Sequence, residues 1–247
     1  CIALGLSPFV MQVTEGILQI CFNVQLRFYG EMVGGNMDTI ALGTMTILSS
    51  VMQFSFLPLS GLTQGAQPIV SYNFGAGNSE RVKKTFKYEL ISAFAYASVI
   101  WVLVMAFPSL FAKIFVNSED VFAGQIIELT STALRIYMAV SLLFSMQMVC
   151  QQTFVSLGKA KISLFLAVLR KIVLLIPLIF ILPAIFPSQA IIMIFTAEPI
   201  ADIIAVIITV SVFFAKFKSI MAECDKNKCS IASDSATVTL ESQTSIK

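Results

Sequence analysis

The stretch Pro58–Lys87 reads PLSGLTQGAQPIVSYNFGAGNSERVKKTFK, and a long apolar run ends within it in small and polar residues. A turn-rich part follows, with Asn73, Gly75, Gly77 and Asn78. Four basic residues come after the turn: Arg81, Lys83, Lys84 and Lys87. This order predicts a helix that leaves a lipid bilayer, a tight loop, and a next helix that begins with a basic cluster on the cytoplasmic side.

The composition of the whole chain agrees with a membrane protein. Of its 247 residues, 57% are hydrophobic and only 12% are charged, and the mean hydropathy is +0.88. Soluble domains contain roughly 45–50% apolar and about 25% charged residues. We therefore expect an integral membrane protein with the lipid bilayer as a partner. The net charge of +2 is too small to suggest nucleic-acid binding.

Residue types that carry much metal and acid–base chemistry are scarce. The chain has no histidine, and its five cysteines include only one close pair, Cys224 and Cys229, without a second pair beside it. No paired-aspartate or serine-nucleophile motif occurs. We therefore expect no enzyme, no resident metal and no cofactor. Because Cys1 is not a start methionine and no charged leader precedes the first apolar stretch, the chain is expected to be part of a longer polypeptide.

Six apolar stretches have the length of about 20 residues that a spanning helix needs. They cover about residues 5–27, 39–64, 88–112, 132–157, 162–186 and 190–215. The sequence thus predicts an all-α polytopic fold with one six-helix lobe over residues 1–218. The Ser/Thr-rich residues 219–247 are expected to form a disordered cytoplasmic tail.

Charge alternates between the connections. The first and third connections carry acidic residues, whereas basic residues follow the second, fourth and sixth spans. The basic set is Arg81, Lys83, Lys84, Lys87, Lys159, Lys161, Lys216 and Lys218. The positive-inside tendency places this side in the cytoplasm. We expect a multi-pass protein of the plasma (inner) membrane with both chain ends in the cytoplasm.

Two spans carry polar residues that are costly at membrane depth, where a charged group costs roughly 2.5–3.5 kcal/mol on insertion scales. In the first span, Gln12, Glu15, Gln19 and Asn23 recur at spacings of three and four, which puts them on one helix face. The stripe predicts a surface that binds a coupling cation or a substrate. The alternative is hydrogen bonding between helices.

The sixth span carries two carboxylates one turn apart, Glu198 and Asp202, with Thr209 further along the same face. Pro199 leaves a backbone carbonyl free one turn back. Desolvated carboxylates at this spacing repel each other, so a proton or a sodium ion would stabilise the pair. This pattern is typical of a coupled transporter. The alternatives are a hydrogen bond between helices or a polar group near the outer interface.

Weaker polar sets occur in the fourth and fifth spans. Gln147 and Gln151 share one face and are candidates for substrate binding, although such residues more often join helices. Arg170 and Lys171 lie one or two turns into the fifth span, and we expect them to snorkel to the cytoplasm or to face an inward cavity.

The segment GLTQGAQPIVSYNFGAGNSERVKK resembles the one that follows the eighth helix of the MATE (multidrug and toxic compound extrusion) family, where bacterial members have a GxxQGxQPIxxYNxGAxxxxRVK pattern. The matching positions are Gln64, Gly65, Gln67, Pro68, Asn73, Gly75 and Arg81, which we interpret as a cytoplasmic loop motif. SPFVMQVTEG, LRIYM, LGKAK and AEPIAD add to the resemblance, which covers nearly the whole chain except the tail.

The resemblance implies the second six-helix lobe of a two-lobe, twelve-helix transporter in the multidrug-exporter branch. Such proteins export cationic or amphipathic compounds, driven by inward flow of sodium ions or protons. Glu15 matches a glutamate of the seventh helix that takes part in cation coupling. The acidic residue that many members carry in the tenth helix has no counterpart here, since the fourth span offers only Gln147, Gln151 and Gln152. This departure points to coupling acids in the other lobe.

Two other functions remain open from the sequence. A flippase for lipid-linked saccharides of the same superfamily would need a more basic cavity, for which only Arg170 and Lys171 lie deep enough. A membrane scaffold without transport activity would not need carboxylates within the bilayer.

Overall fold

The computed structural model describes residues 2–116 and 122–244, with side chains for Phe9 and for residues 12–116 and 122–225. The described residues form helices joined by short turns, without a strand, which confirms the all-α prediction. The helices are α1 (Ile2–Val33), α2 (Met37–Gly75), α3 (Ser79–Ala106), α4 (Pro108–Phe115), α5 (Ala123–Tyr137), α6 (Ser141–Ser156), α7 (Ala160–Val168), α8 (Ile176–Ile185) and α9 (Ala190–Thr244). A π-helical segment, Leu169–Leu175, joins α7 to α8, and a 3-10 turn, Pro187–Gln189, precedes α9.

Within the described residues, four continuous helical stretches are long and apolar enough to cross a membrane. They are Met37–Gly75, Ser79–Ala106, Ala160–Ile185 and Pro187–Asp225. The pair α5 and α6, bent by 52° at a short break, makes a fifth crossing if it counts as one. The first predicted span lies in α1, which has 32 residues but is not among these stretches.

Two predicted spans are interrupted. The third ends as a continuous helix at Ala106, because Pro108 begins α4 as its first residue. The fourth is divided between α5 and α6, and the indole N–H of Trp101 donates a hydrogen bond of 3.2 Å to the Ala139 carbonyl in this break. A polar group freed by the bend therefore has a partner in a neighbouring span.

The predicted loop motif is mostly helical, which corrects the sequence interpretation. Gln64, Gly65, Gln67, Pro68, Asn73 and Gly75 all lie within α2, which continues past both internal prolines. The true loop is Ala76–Asn78, and Arg81 lies in the first turn of α3. The helix ends where the backbone N–H of Asn78 donates to the Asn73 carbonyl at 2.8 Å and Gly77 takes a φ of +69°. Glycine adopts this left-handed conformation without a steric penalty.

The last helix extends beyond the predicted end of the lobe at residue 218. Ile220 and Met221 are buried in the core, and the Cys224 thiol donates to the Phe74 carbonyl at 3.5 Å. The backbone is helical through Thr244, where the sequence predicts a disordered tail, and residues 245–247 lie outside the described part. The disorder of this tail stays a prediction.

The side chains that the structure describes form two buried apolar clusters. One joins α1, α2, α5 and α9 around residues such as Phe22, Leu48 and Phe195. The other joins the ends of α2, α3, α6 and α9, and its centre is an aromatic layer that consists of Phe86, Phe154 and Phe213. The Phe213 ring centroid is 4.8 Å from that of Phe86 and 5.1 Å from that of Phe154.

Candidate functional site

A cavity of about 740 Å³ lies between α1, α2, α6 and the π-helical segment. Its wall combines aromatic and methionine side chains with amides and charged groups. The apolar part includes Phe22, Met45, Met52, Phe56, Phe144 and Met148. A site with a large apolar wall and a few polar groups is the usual form of a small-molecule pocket.

The polar stripe predicted on the first span lines this cavity. Gln12, Glu15, Gln19 and Asn23 all contribute to its wall, as their spacing on one helix face predicts. Their part in binding stays a prediction. Gln53 and Gln152, from α2 and α6, add two further amides.

Arg170 joins the two carboxylates of α9 into a buried ion triad. Its Nε donates to Asp202 Oδ1 at 2.5 Å, and its Nη2 donates to Glu198 Oε1 at 3.0 Å. The Arg170 side chain is 7% exposed, and the carboxylates are similarly buried. The guanidinium carbon also lies 4.3 Å from the centroid of the Phe144 ring, in cation–π geometry. Snorkelling to the cytoplasm was one of the two orientations that the sequence suggested for Arg170. The structure shows the other, in which the side chain faces the cavity.

Lys171 forms the second ion pair of the cavity, with Glu15 of α1. Both side chains line the wall, but Glu15 is about half exposed towards the cavity. Glu198 also lines the wall, whereas Asp202 lies behind Arg170. The three carboxylates and two basic groups form one charge network, defined here by Glu15, Arg170, Lys171, Glu198 and Asp202.

The π-helical segment brings two consecutive basic residues to the same cavity. Leu169–Leu175 is wound with i→i+5 hydrogen bonds, as in the bond from the Ile176 N–H to the Lys171 carbonyl. Pro177, at the start of α8, cannot donate a backbone hydrogen bond, which disturbs the α-helical pattern just before it. Such π-helical turns often occur at functional sites.

The predicted residues of α6 separate into different positions. Gln151 lines the cavity, while Gln147 is fully buried outside it, and neither amide atom of Gln147 has a hydrogen-bond partner among the described residues. Thr209 is also buried away from the cavity, without a partner for its hydroxyl in the described part of the chain. It is therefore not part of the site of Glu198 and Asp202.

The segment that contains the motif joins the C-terminal end of α2 to α6. Gln152 donates to Gln67 at 3.0 Å, and the Ser71 hydroxyl donates to the Ser156 carbonyl at 2.8 Å. Asn73 donates through its side chain to the Ile69 carbonyl at 2.8 Å. The contact with Gln152 indicates a structural role for the motif residue Gln67.

Sequence reasoning missed the pairing role of Arg170 and Lys171, and it overlooked a buried acid of α3, Glu89. The spacing of apolar residues around Glu89 could have indicated that this acid is buried. The buried positions of α3 include Val82, Phe86, Glu89 and Ala93 at spacings of three and four, so the acid lies in an otherwise apolar stripe.

Long apolar helices, a bent pair, a π-helical segment and a cavity with charged groups in its wall are together typical of a polytopic membrane transporter. The sequence profile of the MatE family matches residues 17–181, more than half of the chain. The chain therefore belongs to the MatE family, whose members are multi-pass membrane transporters and not enzymes.

Curated relatives and solved structures agree with this assignment. The multidrug export protein MepA of Staphylococcus haemolyticus is 25% identical over 209 residues, covering 84% of this chain and 43% of that protein. MepA of Staphylococcus aureus (strain MSSA476) is 25% identical over 183 residues, covering 74% and 37%.

Among solved structures, that of the MATE multidrug transporter DinF-BH is 31% identical with a TM-score of 0.69, covering 86% of this chain and 44% of that one. The outward-facing conformation of a multidrug resistance MATE family transporter of the MOP superfamily has a TM-score of 0.76 at 18% identity, covering 87% and 46%. The chain spans less than half the length of these proteins.

Proposed function

We propose that this chain is the C-terminal lobe of a secondary active antiporter that exports cationic or amphipathic compounds in exchange for sodium ions or protons. The relatives named as multidrug exporters support this proposal. So does the cavity wall, which offers aromatic rings, methionines and amides to a flat amphipathic molecule.

The observation that carries the proposal is the charge network in the cavity wall. Glu15 and Glu198 line the cavity, and each is held by a basic side chain of the π-helical segment. A proton or sodium ion that binds a carboxylate weakens its attraction to that side chain. An ion that binds one conformation of the network with higher affinity than the other shifts the equilibrium between two conformations of the lobe.

A complete transporter would need a second lobe opposite this wall. Alternating access in such proteins proceeds by movement of one repeat against the other around a central site. We therefore expect the 247 residues alone to transport nothing, because the opposite cavity wall is missing. Dye export by a protein with only these residues would contradict this expectation.

The test measures dye transport into the lumen of inverted membrane vesicles, which corresponds to export from the cell. The vesicles contain the full parent protein, and a proton or sodium gradient is imposed across their membrane. We expect Glu15→Gln and Asp202→Asn to abolish gradient-driven transport, because each removes one carboxylate of the network. Glu223→Gln is the matched control, since Glu223 forms an exposed ion pair with Lys159 at 3.2 Å, outside the cavity. Transport that survives both cavity substitutions would place coupling in the other lobe.

A second candidate function is supported by one specific observation. Arg170 and Lys171 both line the cavity, where a flippase for lipid-linked saccharides would hold pyrophosphate once these side chains leave Glu15, Glu198 and Asp202. The two functions differ in their response to neutralisation of Lys171. Lys171→Met should abolish the flipping of a pyrophosphate lipid in reconstituted liposomes, whereas an exporter of cations should still bind its dye in the same protein.

A further inference from the structure

Glu89 is a buried acid of α3 that the cavity does not include. Its side chain is only 5% exposed, and its Oε1 atom has no hydrogen-bond partner among the described residues. The exposed residues just before it, Lys87 and Tyr88, lie on other faces of the helix. A buried polar atom without a partner is rare in a native structure and requires an explanation.

The helix directions place Glu89 one turn from the aromatic layer, on the same side as polar residues of two other helices. Trp101 of α3 contacts Ala139 just before α6, while the aromatic layer joins the start of α3 to the end of α6, so these helices run antiparallel. Glu89 lies three residues after the aromatic-layer residue of α3. Cys150 lies four residues before Phe154, the aromatic-layer residue of α6. Thr209 lies four residues before Phe213, the aromatic-layer residue of α9. Helix α9 runs parallel to α6, because its later residue Glu223 pairs with Lys159 just after the end of α6. All three positions are therefore displaced by about one turn in the same direction.

The neighbouring helices offer no cation to this layer in the part of the chain that the structure describes. Helix α6 contains no charged residue, and the only charged residue of α2, Asp38, lies at its opposite end. On α9, Glu198 and Asp202 are bound to Arg170. The remaining charged groups of α3 and α9 near this end are exposed, namely Glu80, Arg81, Lys83, Lys84, Lys87, Lys216, Lys218, Glu223 and Asp225. Those of α4 and α5, namely Lys113, Glu128 and Arg135, lie near the other end of α3.

An ionised carboxylate in this place would be buried without a counter-charge, which is strongly unfavourable. A proton removes the charge without needing additional space, and the small second cavity of the lobe, beside Ser55 and Tyr96, does not reach Glu89. The thiol of Cys150 and the hydroxyl of Thr209, each one turn from the same aromatic layer, are neutral polar groups compatible with a carboxylic acid.

We propose that Glu89 is a proton-binding site of the lobe, separate from the central cavity, and that its protonated form holds α3 against α6 and α9. Loss of the proton places a charge next to the aromatic layer. The charge is stabilised only if water reaches it, so α3 has to separate from α6. The proposal does not depend on the transported compound.

Infrared spectroscopy of the purified parent protein tests the protonation itself. We expect the carbonyl band of a protonated carboxylic acid at neutral pH, lost in Glu89→Gln and retained in the control Glu15→Gln. Glu89→Asp should retain an acid band at a shifted position, which guards against a folding defect of the first variant. Equal acid bands in the wild-type protein and in folded Glu89→Gln would overturn the proposal.

Thiol labelling tests the coupling to helix packing. Cys150 is fully buried, and it serves as the reporter in a parent protein whose other cysteines are replaced by serine. The rate of maleimide labelling rises with pH in any protein because thiolate forms. We expect a several-fold larger rise with Glu89 than with Glu89→Gln, because only the acid opens the α3–α6 contact when it ionises. The same rise in both proteins would refute the coupling.

Discussion

Replacement of Arg170 by methionine should be one of the most destabilising single changes in this lobe. The guanidinium holds Asp202 at 2.5 Å and Glu198 at 3.0 Å, and all three side chains are less than a tenth exposed. Removal of one partner from a buried ion pair costs about 3–5 kcal/mol, because an uncompensated charge stays behind. Here two carboxylates lose their partner, although protonation of one of them would limit the loss. We expect the free energy of unfolding to fall by about 3–5 kcal/mol.

The assay is equilibrium unfolding of the purified parent protein in detergent, with increasing dodecyl sulfate and helix content as the signal. Arg27→Met is the control, because Arg27 forms an exposed i,i+4 pair with Glu31 and its loss should leave the midpoint unchanged. Adding Glu198→Gln and Asp202→Asn to Arg170→Met should recover much of the stability, since the buried charges are then absent. A loss no larger than that of Arg27→Met would refute the assignment of a buried triad.

Two further predictions concern packing. Gly30→Ala should lower the free energy of unfolding by about 1–3 kcal/mol, because a Cβ at Gly30 would collide with the Asp38 backbone. Gly16→Ala is the control, because the space around its new Cβ is open, and it should leave the free energy of unfolding unchanged in the same assay. Phe213→Ala should cost about 3–5 kcal/mol, because the ring is fully buried in the aromatic layer. Phe214→Ala, at an exposed neighbouring position, is its control, and equal losses would contradict the assigned orientation of α9.

The spacing of residues within single helices was sufficient for much of what the sequence predicted correctly. A membrane helix repeats every 3.6 residues, so the positions of Gln12, Glu15, Gln19 and Asn23 were enough to place them on one face, and all four line the cavity. Helix content and the turn before the basic cluster of α3 follow from equally local signals.

Contacts between distant segments could not be derived in this way. Arg170 meets Glu198 and Asp202 across 28 and 32 residues, and its orientation depends on the π-helical turn before Pro177. No local pattern specifies that extra residue in the turn. A basic residue near the end of a span therefore suggested snorkelling, which is the commoner outcome for a single helix.

The loop motif was misplaced for a similar reason. Gly65 and Pro68 suggested that α2 ends near them. The helix instead continues to Gly75, where contacts with α6, such as that of Ser71 with Ser156, support it. Tertiary contacts overrode the local preference.

The charge network also has an electrical consequence. Its three carboxylates exceed its two basic groups by one, so the fully ionised site carries a single negative charge within the bilayer. One bound monovalent cation makes it neutral. A charge that moves through the membrane potential gains or loses about 2.3 kcal/mol per 100 mV. In the proposed transport cycle, the ion-free lobe would therefore sense the voltage, and the ion-loaded lobe would not.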